Sequence, residues 1–178
     1  MSTSSRHSIA ILLLTGAALA IAGCSDSAPP STSTSSTPDL SAISACDLLT
    51  PDEIETATGL AASAGEDISQ LGGRLPMCSW RPAGGGFRPV ANVMVTTSSY
   101  TDFDQYVEMS TDNAFGVDVG EFERVDGVGR FGVWLTELKM LQVFTDDHMV
   151  QIAVEVADDR DAAEAARALA GAVIERLR

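Results

Sequence analysis

Apolar residues fall along this chain in three regimes. Ile9 to Ala22 is one unbroken apolar run, IAILLLTGAALAIA. From Ser25 to Ser44 apolar residues become sparse, and the chain reads SDSAPPSTSTSSTPDLSAIS. Beyond that they recur with helical or strand spacing, and there the pattern specifies a fold. The first helix has the sharpest start. Thr50 stands at the N-cap, Pro51 at the first helical position and Glu53 where a capping box needs it. Leu49 and Ile54 take the hydrophobic-staple positions, and Gly59 supplies the stop.

A short strand is expected from Met77 to Arg81, with Cys78 and Trp80 on one side of it. The Pro82-to-Gly86 turn leads to a partner strand over Val90 to Thr97. Phe103, Tyr106, Val107 and Ser110 share one face of a second helix that begins at Thr101. Asp112 to Glu123 reads as a polar loop. Three strands are expected after it: Gly129 to Leu135, Leu138 to Thr145, and His148 to Val156, the last two joined through Asp146-Asp147. Val150, Ile152, Val154 and Val156 alternate with less apolar residues, the mark of a half-buried antiparallel strand. Asp158 is the expected cap of a last helix with the stripe Ala162, Ala166, Leu169, Ala170, Val173 and Leu177. The predicted class is α+β, an antiparallel sheet of about five strands with helices packed on one face, in the order αββαβββα.

The apolar run near the N-terminus is too short to span a bilayer comfortably, and it suits the apolar region of a signal peptide. It ends Ile21-Ala22-Gly23-Cys24, which resembles a bacterial lipobox: an aliphatic residue, two small residues, then a cysteine whose thiol accepts a diacylglycerol. An uncleaved short anchor, or a plain signal peptide with an incidental cysteine, are the alternatives. The expected organisation is a lipoprotein signal peptide over 1–23, a lipidated Cys24 and Ser/Thr/Pro-rich linker over 24–44, and one domain over 45–178. Two or more acyl chains hold a protein firmly on a membrane. The expected location is therefore extracytoplasmic, anchored to the cell membrane. The linker cannot bury enough surface to offset its ordering entropy, so disorder is expected there. Its reach is roughly 25 Å. It reads as a bare spacer, with O-glycosylation of Ser31 to Thr37 as the alternative.

Composition is globular, with 45% hydrophobic and 20% charged residues. Charge is lopsided: the formal net charge is −14. A surface this acidic repels phosphate backbones and anionic headgroups, so nucleic acid is excluded as a partner and membrane contact is assigned to the anchor.

Cys46 and Cys78 are the only cysteines beyond Cys24. In an exported domain they point to one disulfide, with two buried free thiols as the alternative. Gly127-Val-Gly-Arg-Phe-Gly132 spells a dinucleotide fingerprint, but a strand-like segment follows it where the fingerprint needs a helix. Its glycines are expected to permit a bend or bulge, and no cofactor is assigned. His148 is the one histidine outside the signal segment, and it lies beside Asp146-Asp147 in what reads as a charged surface turn. Asp112, Asp118, Glu121, Glu123 and Asp126 match no calcium-loop spacing and read as a solvated acidic loop, so no metal is assigned. Trp80, Trp134, Phe131 and Phe144 read as core, with an apolar ligand pocket as the alternative.

The stretch Cys46-Asp-Leu-Leu-Thr-Pro-Asp-Glu53, then Cys78-Ser-Trp80, a late Gly/Trp strand and an Ala-rich C-terminal helix, all behind a lipobox and Ser/Thr linker, resembles the actinobacterial lipoproteins of domain of unknown function 3558. The resemblance covers roughly residues 45 to 178. It implies a structural role for Cys46, Cys78 and Trp80 and carries over no catalytic residue. The expected function is a non-catalytic envelope module that binds a protein, a glycan or a lipophilic ligand. The alternative is an envelope hydrolase using carboxylates that the sequence does not single out.

Overall fold

The structure is a computed structural model and describes residues 39–111 and 121–178. The apolar run Ile9 to Ala22, Cys24 and the Ser/Thr stretch lie outside the described residues. Short-range signals fix the helix ends. In α1 (Pro51–Thr58) the Glu53 amide donates to Thr50 Oγ1 at 3.3 Å, and the Thr50 amide donates to the Glu53 carboxylate at 2.8 Å. Gly59, at φ +74°, ends the helix. α2 (Phe103–Thr111) is opened by Asp102, whose carboxylate accepts from the Gln105 amide. α3 (Ala162–Arg176) is capped by Asp161, which accepts from the Glu164 amide at 3.0 Å. Asp158, the expected cap, lies one turn earlier. The Arg160 amide bonds back to Ala157 there and closes a turn before the helix starts.

Seven strands form one antiparallel sheet: β1 (Glu66–Asp67), β2 (Met77–Trp80), β3 (Ala91–Thr97), β4 (Phe122–Val125), β5 (Phe131–Leu135), β6 (Met140–Phe144) and β7 (His148–Val154). Their order across the sheet is β1-β2-β3-β7-β6-β5-β4. Two meanders, β1 to β3 and β4 to β7, meet along the seven-residue β3–β7 ladder, from Ala91↔Val154 to Thr97↔His148. The expected five strands therefore become seven, and the order becomes αβββαββββα. Both added strands are edges. β1 is an exposed Glu-Asp pair, and β4 carries exposed Glu123 and Arg124 between half-buried Phe122 and Val125. Short charged edges discourage pairing with another chain, and for the same reason they lack a strand's apolar alternation.

Helices cover both faces, not one. β5 is buried at all of its positions, as a strand covered on both sides must be. On one face, Trp80, Val93, Val95, Trp134, Leu141, Val150 and Ile152 pack with Ile54 of α1 and Leu169 and Val173 of α3. On the other, Phe131, Val133, Leu135 and Phe144 pack under Tyr106 of α2. Phe131 stacks on Phe144 with ring centroids 4.5 Å apart, and the Tyr106 ring meets Phe144 edge-on at 5.6 Å. Ordered structure begins ahead of residue 45: Leu40 is buried in the first core, and Ile43 packs against it.

Candidate binding surfaces

The disulfide sits inside the first core. Cys46, on a single 3-10 turn (Ala45–Asp47), is bonded to buried Cys78 of β2, with the Cα atoms 5.1 Å apart. Gly65 passes so close that a Cβ there would stand 2.6 Å from Cys78 Sγ and 2.9 Å from Trp80 Nε1. Trp80 has no exposed surface and Trp134 retains 7%. Both indoles point into the same core, so neither lines an open pocket.

At the β6–β7 turn, Arg130 works as a clamp. It donates to the carbonyl oxygens of Tyr100 (2.7 Å) and Thr101 (3.0 Å), and its Nε lies 3.5 Å from Asp146. The bare turn is closed by Thr145 and His148: the His148 amide donates to Thr145 Oγ1, and the Thr145 amide donates to the His148 carbonyl. A hollow of about 440 Å³ opens beside Arg130, Asp146, Asp147, His148 and Arg178. Arg130 and Arg178 share it with Asp146 and Asp147, and Arg130 is already committed to backbone oxygens. The arrangement orders the loop between β3 and α2.

The glycine fingerprint is a turn. Gly127 and Gly129 have φ of +81° and +58°, and the chain then enters β5, not a helix. A Cβ at Gly129 would lie 2.5 Å from the Phe144 carbonyl oxygen, so this backbone must be bare to pass β6. Of the acidic-loop residues, Asp112 and Asp118 lie outside the described residues, Glu123 is on β4, and Asp126 pairs with Arg124 at 2.8 Å. Among the described residues, no three His, Cys, Asp or Glu side chains gather as metal ligands. No helix of the described residues is long and apolar enough to cross a membrane.

A second hollow, about 420 Å³, runs between α1 and α3 over Ala57, Ala165, Leu169 and Ala172. Glu53, which also lines it, is held by Arg176. Its Nη1 donates to the Leu48 carbonyl and its Nη2 to the Glu53 carboxylate, each at 2.7 Å. That hydrogen bond, helped by those from the Thr50 amide and hydroxyl against a small burial cost, holds the Glu53 carboxyl down at about 2.

Among the described residues, the second sheet face is only partly roofed. Phe103 and Tyr106 of α2 contact Phe122, Phe131 and Phe144, over the β4–β6 side. Toward β2, one register row runs Met77, Met94, Gln151, Gln142 across four strands. All four side chains are half-buried, as are neighbouring Asn92, Ala153 and Met149. Two thioethers, on β2 and β3, are followed by two amides, on β7 and β6.

These elements stand in a chain that matches the family described as protein of unknown function, DUF3558, over residues 19–176. The chain belongs to this family. No curated protein and no solved structure matches it. Within this DUF3558 chain, the sequence pattern marks the core face of β2 and β7 and leaves the opposite face unread. The half-open row of Met77, Met94, Gln142 and Gln151 had one visible signal, apolar thioethers and amides at the off-core positions of β2, β3, β6 and β7. Arg130 gave none, because its partners are backbone oxygens 29 and 30 residues away.

Proposed function

We propose that this DUF3558 chain is a lipid-anchored envelope protein whose folded domain binds a partner protein through the half-open sheet face. The lipobox-like Ile21-Ala22-Gly23-Cys24 supports the anchor. The observation that carries the binding reading is the Met77–Met94–Gln151–Gln142 row, half-buried and still reached by solvent, on a sheet whose other face is sealed by α1 and α3. Methionine is enriched at protein interfaces because its unbranched thioether adapts to the surface it meets. Amides beside it supply paired donors and acceptors. None of the hollows described above is lined by these four residues, and a sheet face without a concave site suits a protein surface better than a lipophilic molecule.

Site-specific photocrosslinking in cells tests it. A photoreactive residue at Gln151 is expected to give a discrete protein adduct, while one at Glu175, exposed on the outer side of α3, gives none. Equal labelling from both positions, or only lipid or glycan adducts from Gln151, would contradict the reading.

A further inference from the structure

Two turns leave the sheet at the end where β3 begins and β7 finishes: the β2–β3 turn before Val90 and the β5–β6 turn, Thr136 to Lys139. Ala91 pairs with Val154 and Met140 with Ala153, so the two turns project together. Arg88, Pro89 and Leu138 border one shallow hollow between them. Each turn holds a large apolar side chain out in water. Phe87 is 98% exposed and Leu138 is 56% exposed. Phe87 follows Gly84-Gly85-Gly86, with Gly85 at φ +87°, and its carbonyl accepts from Arg81 at 3.4 Å. The turn is therefore braced at its base while the ring touches little of the protein.

In both turns a cation comes directly after the apolar residue: Phe87-Arg88 and Leu138-Lys139. Lys139 is the chain's single lysine. Lys139 Nζ lies 2.8 Å from Glu155, and Arg88 reaches the same carboxylate at 4.0 Å. Arg81 pairs with Glu66 at 3.4 Å. With exposed Glu137 on the second turn, cations and acids balance on these turns and their partners, although the chain as a whole is formally −14. These turns therefore add nothing to the repulsion that the rest of the chain exerts on phosphate.

We infer that these two turns are a membrane-contacting tip, with Phe87 and Leu138 entering the headgroup–acyl boundary and Arg88 and Lys139 meeting lipid phosphates. An apolar side chain with a cation beside it matches the layering of that boundary, where such groups settle about 5–10 Å deep. The inference adds to the anchored reading above. A lipid tether fixes one point of the chain, and the tip sets which end of the sheet faces the bilayer. That orientation leaves the Met94–Gln151 face upright and open to a partner.

The test does not depend on Cys24. The chain from Ser25 onward, carrying an N-terminal hexahistidine in place of lipid, is tethered to phosphatidylcholine vesicles through a chelating lipid. Phe87→Trp adds one exposed indole to the two buried ones. Its emission is expected to shift to the blue on tethering and to be quenched by brominated acyl chains. Both effects should be lost in Phe87→Trp with Leu138→Asp, whose circular dichroism should match the parent. An emission spectrum that stays at its aqueous position on tethered chain, untouched by brominated lipid, overturns the inference and leaves the turns as a protein-contact surface. Failure of Cys24 lipidation in cells would instead strike the anchor alone.

Discussion

Arg176, in the last turn of α3, donates to Glu53, in the first turn of α1, at 2.7 Å. One ion pair thus joins the start of one helix to the end of the other, and each charge also complements its own helix dipole. The carboxyl of Glu53 lies at about 2 in the fold against 4.5 for the free group. A depressed carboxyl contributes stability that is complete above its unfolded value and is lost as pH falls toward the folded one. Glu53→Gln is expected to cost about 0.5–1 kcal/mol at pH 7, because roughly a third of each side chain is exposed and solvent screens the pair. Chemical unfolding at stepped pH checks this. The difference between variant and parent should shrink as pH drops from about 4.5 to about 2.

Gly129 and Gly127 separate two costs. Both take positive φ, where a Cβ costs about 1–2 kcal/mol. At Gly127 the nearest obstacle is the end of the Arg167 side chain, 3.0 Å away, which can move. At Gly129 it is the Phe144 carbonyl, which cannot. Gly129→Ala should therefore destabilise by about 2–4 kcal/mol, adding overpacking to backbone strain, and Gly127→Ala by only about 1–2 kcal/mol. Equilibrium denaturation of the two variants side by side gives the answer, and equal losses would show that backbone contact is not what keeps Gly129 bare.

Much of this architecture was readable in the sequence because it is written in short-range chemistry. Thr50, Pro51 and Glu53 define a helix start whatever lies elsewhere, and the alternation from Val150 to Val154 defines a one-sided strand. β1 and β4 carry no such signal because edge strands are kept short and charged, so Glu66-Asp67 and Phe122 to Val125 lack the alternation that identifies a strand. α2 packs on the opposite sheet face from α1 and α3, against the one-face expectation. The stripe Phe103–Tyr106 says that α2 has an apolar face but not which sheet face receives it. That information lay in β5, where Phe131, Val133 and Leu135 are as apolar as Trp134. Phe87 was invisible as a surface feature because its turn reads only as a flexible connection.

The Arg130 clamp predicts a local effect. Arg130→Met keeps the aliphatic stem but removes the donors to the Tyr100 and Thr101 carbonyls. The variant should lose about 1–2 kcal/mol. Hydrogen exchange should accelerate at the start of α2, near Thr101 to Gln105, more than in β7. Uniform acceleration across the sheet would mean that Arg130 holds no particular loop.

The disulfide should matter more than any of these. Replacing Cys46 and Cys78 together by serine is expected to cost about 2–5 kcal/mol, seen as a lower denaturant midpoint. Without reductant, neither thiol of the native chain should accept an alkylating reagent.

The anchored reading stands or falls on the chemistry of one residue. Intact-mass and N-terminal peptide mass spectrometry of the protein purified from its own membranes reads that chemistry directly. The account predicts a chain that begins at Cys24, carries a thioether-linked diacylglycerol, and leaves the membrane fraction when Cys24 is replaced by alanine. A chain that begins at Met1, or one with an unmodified Cys24 that still fractionates with membranes, would contradict it.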